Sequence, residues 1–455
     1  MKNMTLSAIA KACNGQLVGG ENYDDKEVAG VVLDSRLVEK DYLFIATVGE
    51  RVDGHNFIDD VFAKGALAVI CEKAPHNAKG PYILVQSSFD TLKSIAEWYR
   101  MQLDIKVVGI TGSVGKTTTK EFISSVLEQK YSVLKTEGNF NNEVGLPLTV
   151  LKIRDNHEVA ILEMGISDFG EMNRLSKIAK PDICVITNIG PCHLEFLGSR
   201  QGVLKAKTEI FNHMNKEGIV CINGDDDMLV SIKSVNGKKP IRFGFHADND
   251  IYSTDVISQG LFGSTCNIHV NNQVFQAQIP LPGEHMVSNA LAATAVGTLL
   301  DLTSEEISKG IQSVQSVGGR SNIIRNENYT IIDDCYNANP VSMNAAIDLL
   351  NMANTNKVAI LGDMGELGNN ENELHKEVGR YAAEADLDVL VCVGKLATHM
   401  YEGASQANFQ GKLLHFDTRD ELITALSSIV NVNDTVLIKA SNSMGFENIV
   451  KALNI

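Results

Sequence analysis

The sequence predicts an α/β protein of three domains: a small α/β N-terminal domain, a central parallel-sheet domain with a P-loop, and a C-terminal Rossmann-like α/β domain. Three observations lead to this prediction. The chain has 455 residues, which is too long for one ordinary hydrophobic core. Short β-branched runs alternate with helix-like segments, as in parallel sheets with crossover helices. A glycine-rich turn joins one of these runs to a helix near residue 112.

The N-terminal domain is predicted over residues 1–85, and a helical linker over 86–104 follows it. The expected elements are strands at 30–34, 42–46 and 66–70, and helices at 57–64 and 88–101. The helix at 88–101 carries Trp98, the single tryptophan of the chain.

The central domain is predicted over residues 105–317. A β-branched run at 105–110 leads through the glycine-rich turn into a helix at 117–130. Further strand-like runs alternate with helical segments, which indicates parallel pairing; they lie at 159–163, 183–187 and 218–223. At 245–279 the pattern changes to short alternating strands, which predicts an antiparallel insert or edge. A helix at 286–301 precedes the next boundary.

The C-terminal domain is predicted over residues 318–455 and again alternates strands with helices. Its expected strands lie at 329–333, 358–361, 389–393 and 435–439, with helices from residue 342 and near 373–384. This alternation is typical of a second doubly wound α/β unit.

Composition excludes several classes of protein. The formal net charge is −16 and the longest basic run is Lys238-Lys239, so the concentrated basic face of a nucleic-acid binder is missing from the sequence. No apolar stretch approaches the ~20 residues of a membrane-spanning helix. The 8 cysteines include no C-x-x-C pair, which favours reduced thiols and a cytoplasmic protein. We expect small-molecule substrates, no nucleic acid, no membrane insertion, and a monomer.

The turn after residue 110 has the composition of a phosphate-binding loop: Gly112, Ser113, Val114, Gly115, Lys116, Thr117 and Thr118. Its glycines let backbone N–H groups turn towards phosphate oxygens at a helix N-terminus, and Lys116 adds a mobile charge. The Thr117 hydroxyl can reach a Mg²⁺ ion on the phosphates. The common P-loop has glycine six residues before its lysine, where this chain has Ile110. The alternative is a tight strand-to-helix turn with an incidental lysine.

The T-G-x-x-G-K-T-T spacing of residues 111–118 is similar to the ATP loop of the Mur ligases, which build the peptide of bacterial cell-wall precursors. Other segments match the same family across the whole chain; they lie at 34–36, 49–57, 138–142, 163–165, 188–195, 206–211, 283–293, 319–320, 333–340 and 362–368. The resemblance implies an ATP-dependent amide ligase of peptidoglycan synthesis that works through an acyl phosphate. The implied substrates are a UDP-linked muramoyl tripeptide and D-alanyl-D-alanine.

The resemblance also implies a Mg²⁺ site formed by Thr117, Glu163 and His193, with Lys116, His193 and Lys207 as catalytic residues. In related ligases the lysine at the position of Lys207 carries a carbamate, which converts a cation into an anion. The alternative for Lys207 is a solvated helix lysine, for which neighbouring Lys205 is the model.

The other implied contacts fall into three groups. For ATP, Asn289 would contact adenine, Arg320 the phosphates, and Asp334 (alternatively Asp333) the ribose, although Met286 stands where the family often has asparagine. The UDP-substrate group is Asp34, Ser35, Arg36, Asn141 and Asn142. The dipeptide group is Asp363, Met364 and Ser441, beside departures from the family pattern at Ala440 and Asn442. The role of His375 stays open.

Three other functions remain alternatives. Another Mur-type or folylpolyglutamate-type ligase would add a different amino acid, and a substrate panel would distinguish it. A nucleotide hydrolase or binding module would release phosphate without regard to an amine acceptor. A small-molecule kinase would form a stable phosphate ester.

Overall fold

The structure, a computed structural model, describes residues 1–20, 23, 26–49, 52–316, 318–319 and 322–454. Successive parts of the chain form separate sheets, and each sheet lies within one of the three predicted domains. The predicted domain boundaries themselves remain predictions. Among the described residues, none of the helices combines the length and apolar character needed to cross a membrane.

The N-terminal sheet has the strand order β1-β5-β4-β3-β2, and only the β1–β5 pair is antiparallel. The strands are β1 Gln16–Val18, β2 Val31–Val32, β3 Leu43–Ile45, β4 Ala68–Cys71 and β5 Tyr82–Leu84. The helices of this part are α1 Leu6–Ala12, α2 Ile58–Ala63 and α3 Ser88–Arg100.

The central sheet has the order β14-β13-β12-β11-β10-β9-β6-β8-β7. It is parallel from β7 to β12, and β13 and β14 add an antiparallel edge, as the change of pattern after residue 245 predicts. The strands are β6 Lys106–Thr111, β7 Val133–Lys135, β8 Val159–Glu163, β9 Ile183–Ile186, β10 Ile219–Asn223, β11 Ile241–Gly244, β12 Ile251–Ser258, β13 Ser264–Val270 and β14 Gln273–Ile279. The helices are α4 Lys116–Leu127, α5 Gly145–Val150, α6 Glu171–Ala179, α7 Leu194–Leu197, α8 Arg200–Thr208, α9 His285–Leu299 and α10 Ser304–Gln312.

The C-terminal sheet has the order β15-β16-β20-β17-β18-β19, parallel except for the edge hairpin of β15 and β16. Its strands are β15 Asn322–Arg325, β16 Thr330–Asp333, β17 Lys357–Gly362, β18 Val389–Val393, β19 Lys412–Phe416 and β20 Thr435–Lys439. Its helices are α11 Pro340–Asn351, α12 Glu371–Glu384, α13 Ala397–Gln406, α14 Arg419–Ala425 and α15 Glu447–Leu453.

The predicted linker is a buried part of the structure. Helix α3 places Leu92, Ile95 and Tyr99 in a hydrophobic core that continues from the N-terminal domain into the central domain. The α3 helix contacts α5 and α6 of the central domain as well as α1. Its N-terminus is capped by Ser87, whose hydroxyl accepts the Asp90 N–H. The C-terminal domain instead has hydrophobic clusters on the two faces of its own sheet.

Candidate active site

The carboxyl ends of three neighbouring strands meet at one edge of the central sheet. Strands β6, β8 and β9 are parallel, with Ile110 in register with Glu163 and Thr111 in register with Ile186. The segments that follow these strands therefore lie side by side. They border a cavity of about 1180 Å³ that extends to the first turn of α9 and to the C-terminal domain. Ligands of open parallel sheets bind at this kind of edge.

The turn between β6 and α4 depends on two glycines. Gly112 has a φ of 155°, and a Cβ at this position would collide with the hydroxyl of Thr187. Gly115 has a φ of 81° and directly precedes α4. The predicted loop residues from Ser113 to Thr118 line the cavity, with Gly112 behind them. The predicted phosphate loop thus lies at a helix N-terminus, where anions bind favourably.

Asn188 fixes the shape of this loop, a role that the sequence alone does not reveal. Its side-chain oxygen accepts the Val114 N–H at 2.9 Å, and its amide nitrogen donates to the Val114 carbonyl at 3.0 Å. The Asn188 carbonyl also accepts the Ser113 N–H at 3.0 Å. The Lys116 ammonium donates to the Gly112 carbonyl at 2.9 Å. Only the tertiary approach of two loops makes these bonds possible.

Glu163 ends β8 and is 1 % exposed. Its carboxylate accepts from the Thr117 hydroxyl at 2.9 and 3.1 Å and from the Asn141 side-chain amide at 2.9 Å. Oxygen donors of this kind beside a phosphate loop suit Mg²⁺. The structure therefore brings together Thr117 and Glu163, as predicted. It also places Asn141 and Asn142 in this cavity, although both were assigned to the UDP substrate.

Lys207, on α8, is 1 % exposed. Burial, followed by the charge of Lys116, lowers the pKa of its amine to about 7. Lys205 differs, because it is exposed and its ammonium lies 5.6 Å from the ring centre of Phe169. The buried environment distinguishes Lys207 from a solvated helix lysine.

His193 directly precedes α7 with a φ of 50° and lines the cavity. Its Nδ1 lies 3.3 Å from the Glu366 carboxylate of the C-terminal domain. Burial and then the nearby Lys207 lower the pKa of its imidazole, which favours the neutral, metal-binding ring. Among the residues that the structure describes, no three His, Cys, Asp or Glu side chains form a metal-binding group.

The first turn of α9 borders the opposite side of the cavity. The side-chain oxygen of Asn289 accepts from the Thr119 hydroxyl at 2.9 Å, and its amide donates weakly to the Met286 sulfur at 3.6 Å. Asn289 therefore lies beside the phosphate loop, where the predicted adenine contact is possible. Met286 provides a soft acceptor at the position where the family often has asparagine.

The two consecutive aspartates after β16 have different environments. Asp333 accepts from the Gly319 N–H and the Cys335 thiol, each at 2.9 Å. Asp334 lines the cavity and accepts from the Lys439 ammonium at 2.5 Å. The geometry thus supports Asp334, not Asp333, as the residue available to a ligand. Arg320, the predicted phosphate contact, lies outside the described residues.

Family models cover nearly the whole chain. The model described as "Mur ligase family, catalytic domain" matches residues 27–106, and that of the "Mur ligase middle domain" matches 110–297. The model of the "Mur ligase, glutamate ligase domain" matches 319–442. The chain belongs to the Mur ligase family. The resemblance inferred from the sequence is therefore confirmed.

Two relatives that match this Mur ligase over its full length carry the same name. The UDP-N-acetylmuramoyl-tripeptide–D-alanyl-D-alanine ligase of Bacillus subtilis (strain 168) is 38% identical, covering 100% of this chain and 99% of the relative. The ligase of the same name from Escherichia coli (strain K12) is 34% identical over 100% of this chain and 99% of its own length.

Solved structures confirm the predicted fold class. MurF from Acinetobacter baumannii superposes with a TM-score of 0.90 at 33% identity, covering 99% of this chain and 98% of that one. MurF ligase from Thermotoga maritima in complex with ADP gives a TM-score of 0.81 at 31% identity, covering 93% and 97%.

The remaining UDP-substrate candidates of this Mur ligase form a charged surface turn. Asp34 accepts the Arg36 backbone N–H at 2.9 Å and pairs with its guanidinium at 2.6 Å. These hydrogen bonds lower the pKa of Asp34 to about 2. Asp34, Ser35 and Arg36 do not border the cavity that Asn141 lines. Their role in substrate binding stays a prediction.

The dipeptide candidates lie in loops after two adjacent parallel strands, β17 and β20. The Ser441 N–H donates to the Asp363 carbonyl at 3.0 Å, and the Ser441 hydroxyl accepts the Gly365 N–H at 2.7 Å. The Met364 side chain is fully buried in the domain core, so a dipeptide contact through that side chain is a prediction the geometry does not support. The buried ring of His375 accepts the Met364 N–H at 2.9 Å, and its role stays open.

Proposed function

We infer that this Mur ligase uses ATP to join D-alanyl-D-alanine to a UDP-N-acetylmuramoyl-tripeptide. The observation that carries this inference is the match over full length to relatives named for that reaction. The cavity beside the phosphate loop provides the place for a nucleotide, and the T. maritima structure is a complex with ADP. The folylpolyglutamate synthases among the structural neighbours are 14 to 15% identical, a likeness of fold alone.

The reaction requires activation of a carboxylate. A carboxylate oxygen of the tripeptide attacks the γ-phosphorus of ATP, the bond to ADP breaks, and an acyl phosphate forms. The amine of the dipeptide then attacks the acyl carbon, loses a proton, and displaces phosphate. Placing a carboxylate near a triphosphate costs roughly 4 kcal/mol per charge pair at ~4 Å and an effective dielectric of ~20. The loop N–H groups and Lys116 reduce this cost by providing positive potential.

We propose that Thr117, Glu163 and His193 hold Mg²⁺ in this cavity. The fit rests on their donor types: a hydroxyl and a buried carboxylate in contact, and an imidazole kept neutral. Bound Mg²⁺ would neutralise charge on the phosphates. The protein's own residues orient the phosphate loop through Asn188 and keep Glu163 in place through Asn141.

We also propose a carbamate on Lys207. Its amine is buried and has a pKa of about 7. A neutral amine can add to CO₂ with loss of one proton, which gives an anion. Burial makes the charged ammonium costly, which keeps a neutral, nucleophilic fraction of the amine available near pH 7.

We further propose that the chain acts as a monomer in the cytoplasm. The substrates ATP and a UDP-linked sugar peptide are highly charged, and they do not cross a membrane unaided.

The test is phosphate release from ATP and Mg²⁺ with the UDP-linked tripeptide, with and without D-alanyl-D-alanine. We expect release to require both substrates and to accompany a product heavier by the dipeptide. Release that ignores both substrates would leave only a nucleotide hydrolase.

A further inference from the structure

Lys439, the last residue of β20, is a buried lysine whose side chain is only 3 % exposed. Its ammonium lies 2.5 Å from the Asp334 carboxylate and 3.0 Å from the Asn337 carbonyl, with the Asp334 carbonyl at 3.5 Å. The family pattern places Lys439 at the start of the segment expected to face the dipeptide. In the structure it borders the nucleotide cavity together with Asp334 and Asn337.

The register of the C-terminal sheet explains this contact. Strands β16 and β20 are adjacent and parallel, and Asp333 is in register with Ile438. The Asp334 N–H continues the ladder by donating to the Ile438 carbonyl at 3.0 Å. Asp334 and Lys439 therefore leave the sheet at the same edge, next to each other. Their pairing follows from the backbone and not from an accidental side-chain rotamer.

Three acceptors match the three N–H groups of the Lys439 ammonium. Breaking these contacts would leave the buried Lys439 ammonium without its three acceptors, which is strongly unfavourable. Lys439 is therefore held in place and acts on a ligand through Asp334. A carboxylate paired with a lysine also adds no net charge to a cavity that receives a polyanion.

We propose that Lys439 is a positioning residue that holds Asp334 as the acceptor for the ribose hydroxyls of ATP, and so sets the preference for ribonucleotides over deoxyribonucleotides. This inference rests on the proposed function, because it takes ATP as the nucleotide. A carboxylate discriminates between hydroxyl and hydrogen when its oxygens are fixed at hydrogen-bond distance, since the site then loses a bond to a charged group when the hydroxyl is missing.

The test compares kcat and KM for ATP, 2′-deoxyATP and 3′-deoxyATP in the full-length ligase reaction. We expect the wild type to prefer ATP over at least one deoxynucleotide by about tenfold or more in kcat/KM. Lys439→Met should raise KM for ATP and change KM for that deoxynucleotide little. The ratio of the two kcat/KM values should therefore fall towards one. Lys439→Arg should restore part of the preference because a cation again faces Asp334, and Asp334→Asn should reduce it.

Lys357→Met is the matched control. The Lys357 ammonium also forms an ion pair, 2.5 Å from the Asp386 carboxylate. Lys357 is the first residue of β17, so this pair lies at the amino edge of the sheet. We expect this variant to keep the wild-type nucleotide preference. Equal losses for ATP and the deoxynucleotides in Lys439→Met would overturn the proposal, because they would indicate a phosphate contact or a general structural role.

Two further results separate the proposal from the function on which it rests. An active wild type that uses ATP and both deoxynucleotides equally would reject the ribose role and leave the ligase assignment intact. A wild type without dipeptide-dependent product would reject the ligase assignment itself. If Lys439→Met does not fold, Lys439→Arg and Asp334→Asn give the same comparison, and an unchanged preference in both would reject the proposal.

Discussion

The two junctions between domains are built differently. Between the N-terminal and central domains, α3 extends one apolar core across the boundary, and the Tyr99 hydroxyl and Arg100 guanidinium donate to carbonyls of the central domain. Between the central and C-terminal domains, polar contacts dominate, such as His193 with Glu366. An extensive apolar junction stabilises one arrangement, whereas a polar one permits relative motion. We expect the first two domains to move as a unit and the third to open and close over the cavity.

The described residues at this junction also include an apolar contact, at the turn Gly260–Phe262 between β12 and β13. Leu261 packs against the C-terminal core, and the Arg325 guanidinium lies 4.2 Å from the ring centre of Phe262. This turn is distant in sequence from the loops that bind the nucleotide. It marks the point about which we expect the C-terminal domain to pivot.

The largest effect should come from Leu92→Ala in the apolar junction. Truncating this fully buried side chain should lower the free energy of unfolding of the joint N-terminal and central unit by about 2–5 kcal/mol. Calorimetry combined with hydrogen exchange would locate the loss. Leu390→Ala, equally buried in β18, is the control and should destabilise the C-terminal domain alone. If both variants destabilise the same parts of the chain, the inferred difference between the two junctions is wrong.

Lys207→Ala should affect activity, because it removes the amine on which the carbamate is proposed to form. We expect a loss of about 10- to 100-fold in kcat, with partial recovery on addition of a short carboxylic acid. Lys205→Ala, two residues away and exposed, should retain activity. Loss without recovery would count against the carbamate.

The pH dependence of stability gives a second readout for Lys207. An unmodified amine titrates near 7 in the folded protein and at its ordinary 10.5 in the unfolded chain. Between these two values the unfolded state binds more protons than the folded state, so the free energy of unfolding decreases as the pH falls from 10.5. This decrease is complete below about pH 7. In CO₂-free buffer Lys207→Met should therefore be more stable than the wild type at pH 7, with the gain gone above pH 10.5. Bicarbonate should remove the gain at pH 7; no response would contradict modification.

Glu366→Gln should weaken closure of the C-terminal domain modestly. The Glu366 carboxylate is largely exposed, so its contact with His193 contributes no more than about 1 kcal/mol to closure. Losing this contact should raise KM for ATP by up to roughly fivefold. Small-angle scattering in the presence of nucleotide should show a more open molecule. Glu402→Gln, which removes an exposed carboxylate within the C-terminal domain, should change neither quantity.

The smallest effect should come from the contact at the pivot. Arg325→Ala should destabilise the C-terminal domain by about 0.5–1 kcal/mol through loss of the cation–π contact. A double-mutant cycle with Phe262→Ala isolates that contact. Additive effects of the two changes would mean that the ring and the guanidinium do not interact.

The sequence predicts the fold class well because alternating apolar runs and crossover helices leave few topologies for a parallel sheet. The sequence also places Lys116 and Thr117 at the start of a strongly patterned helix and Glu163 at the end of a strongly patterned strand, where the structure has them. It does not decide between Asp333 and Asp334. Consecutive residues at a strand end point in opposite directions, and the one that meets the cavity depends on pairing with β20, about a hundred residues later.

The side chains that act through loop packing were also beyond the sequence. Asn188 hydrogen-bonds to Val114 in the phosphate loop, which lies 74 residues earlier in the sequence. The Met364 side chain is buried in the core of the C-terminal domain. These contacts are set by tertiary approach, for which local composition carries no signal.

The shared apolar core also constrains how the chain folds during its synthesis. Helix α3 leaves the ribosome before its partner α6, whose last residue follows roughly 80 residues later. At a synthesis rate of about 5–20 residues per second, the apolar face of α3 stays exposed for on the order of 4–16 s before α6 can pack against it. During that interval the nascent N-terminal domain exposes a surface that chaperones recognise, whereas the C-terminal domain can complete its core from its own residues.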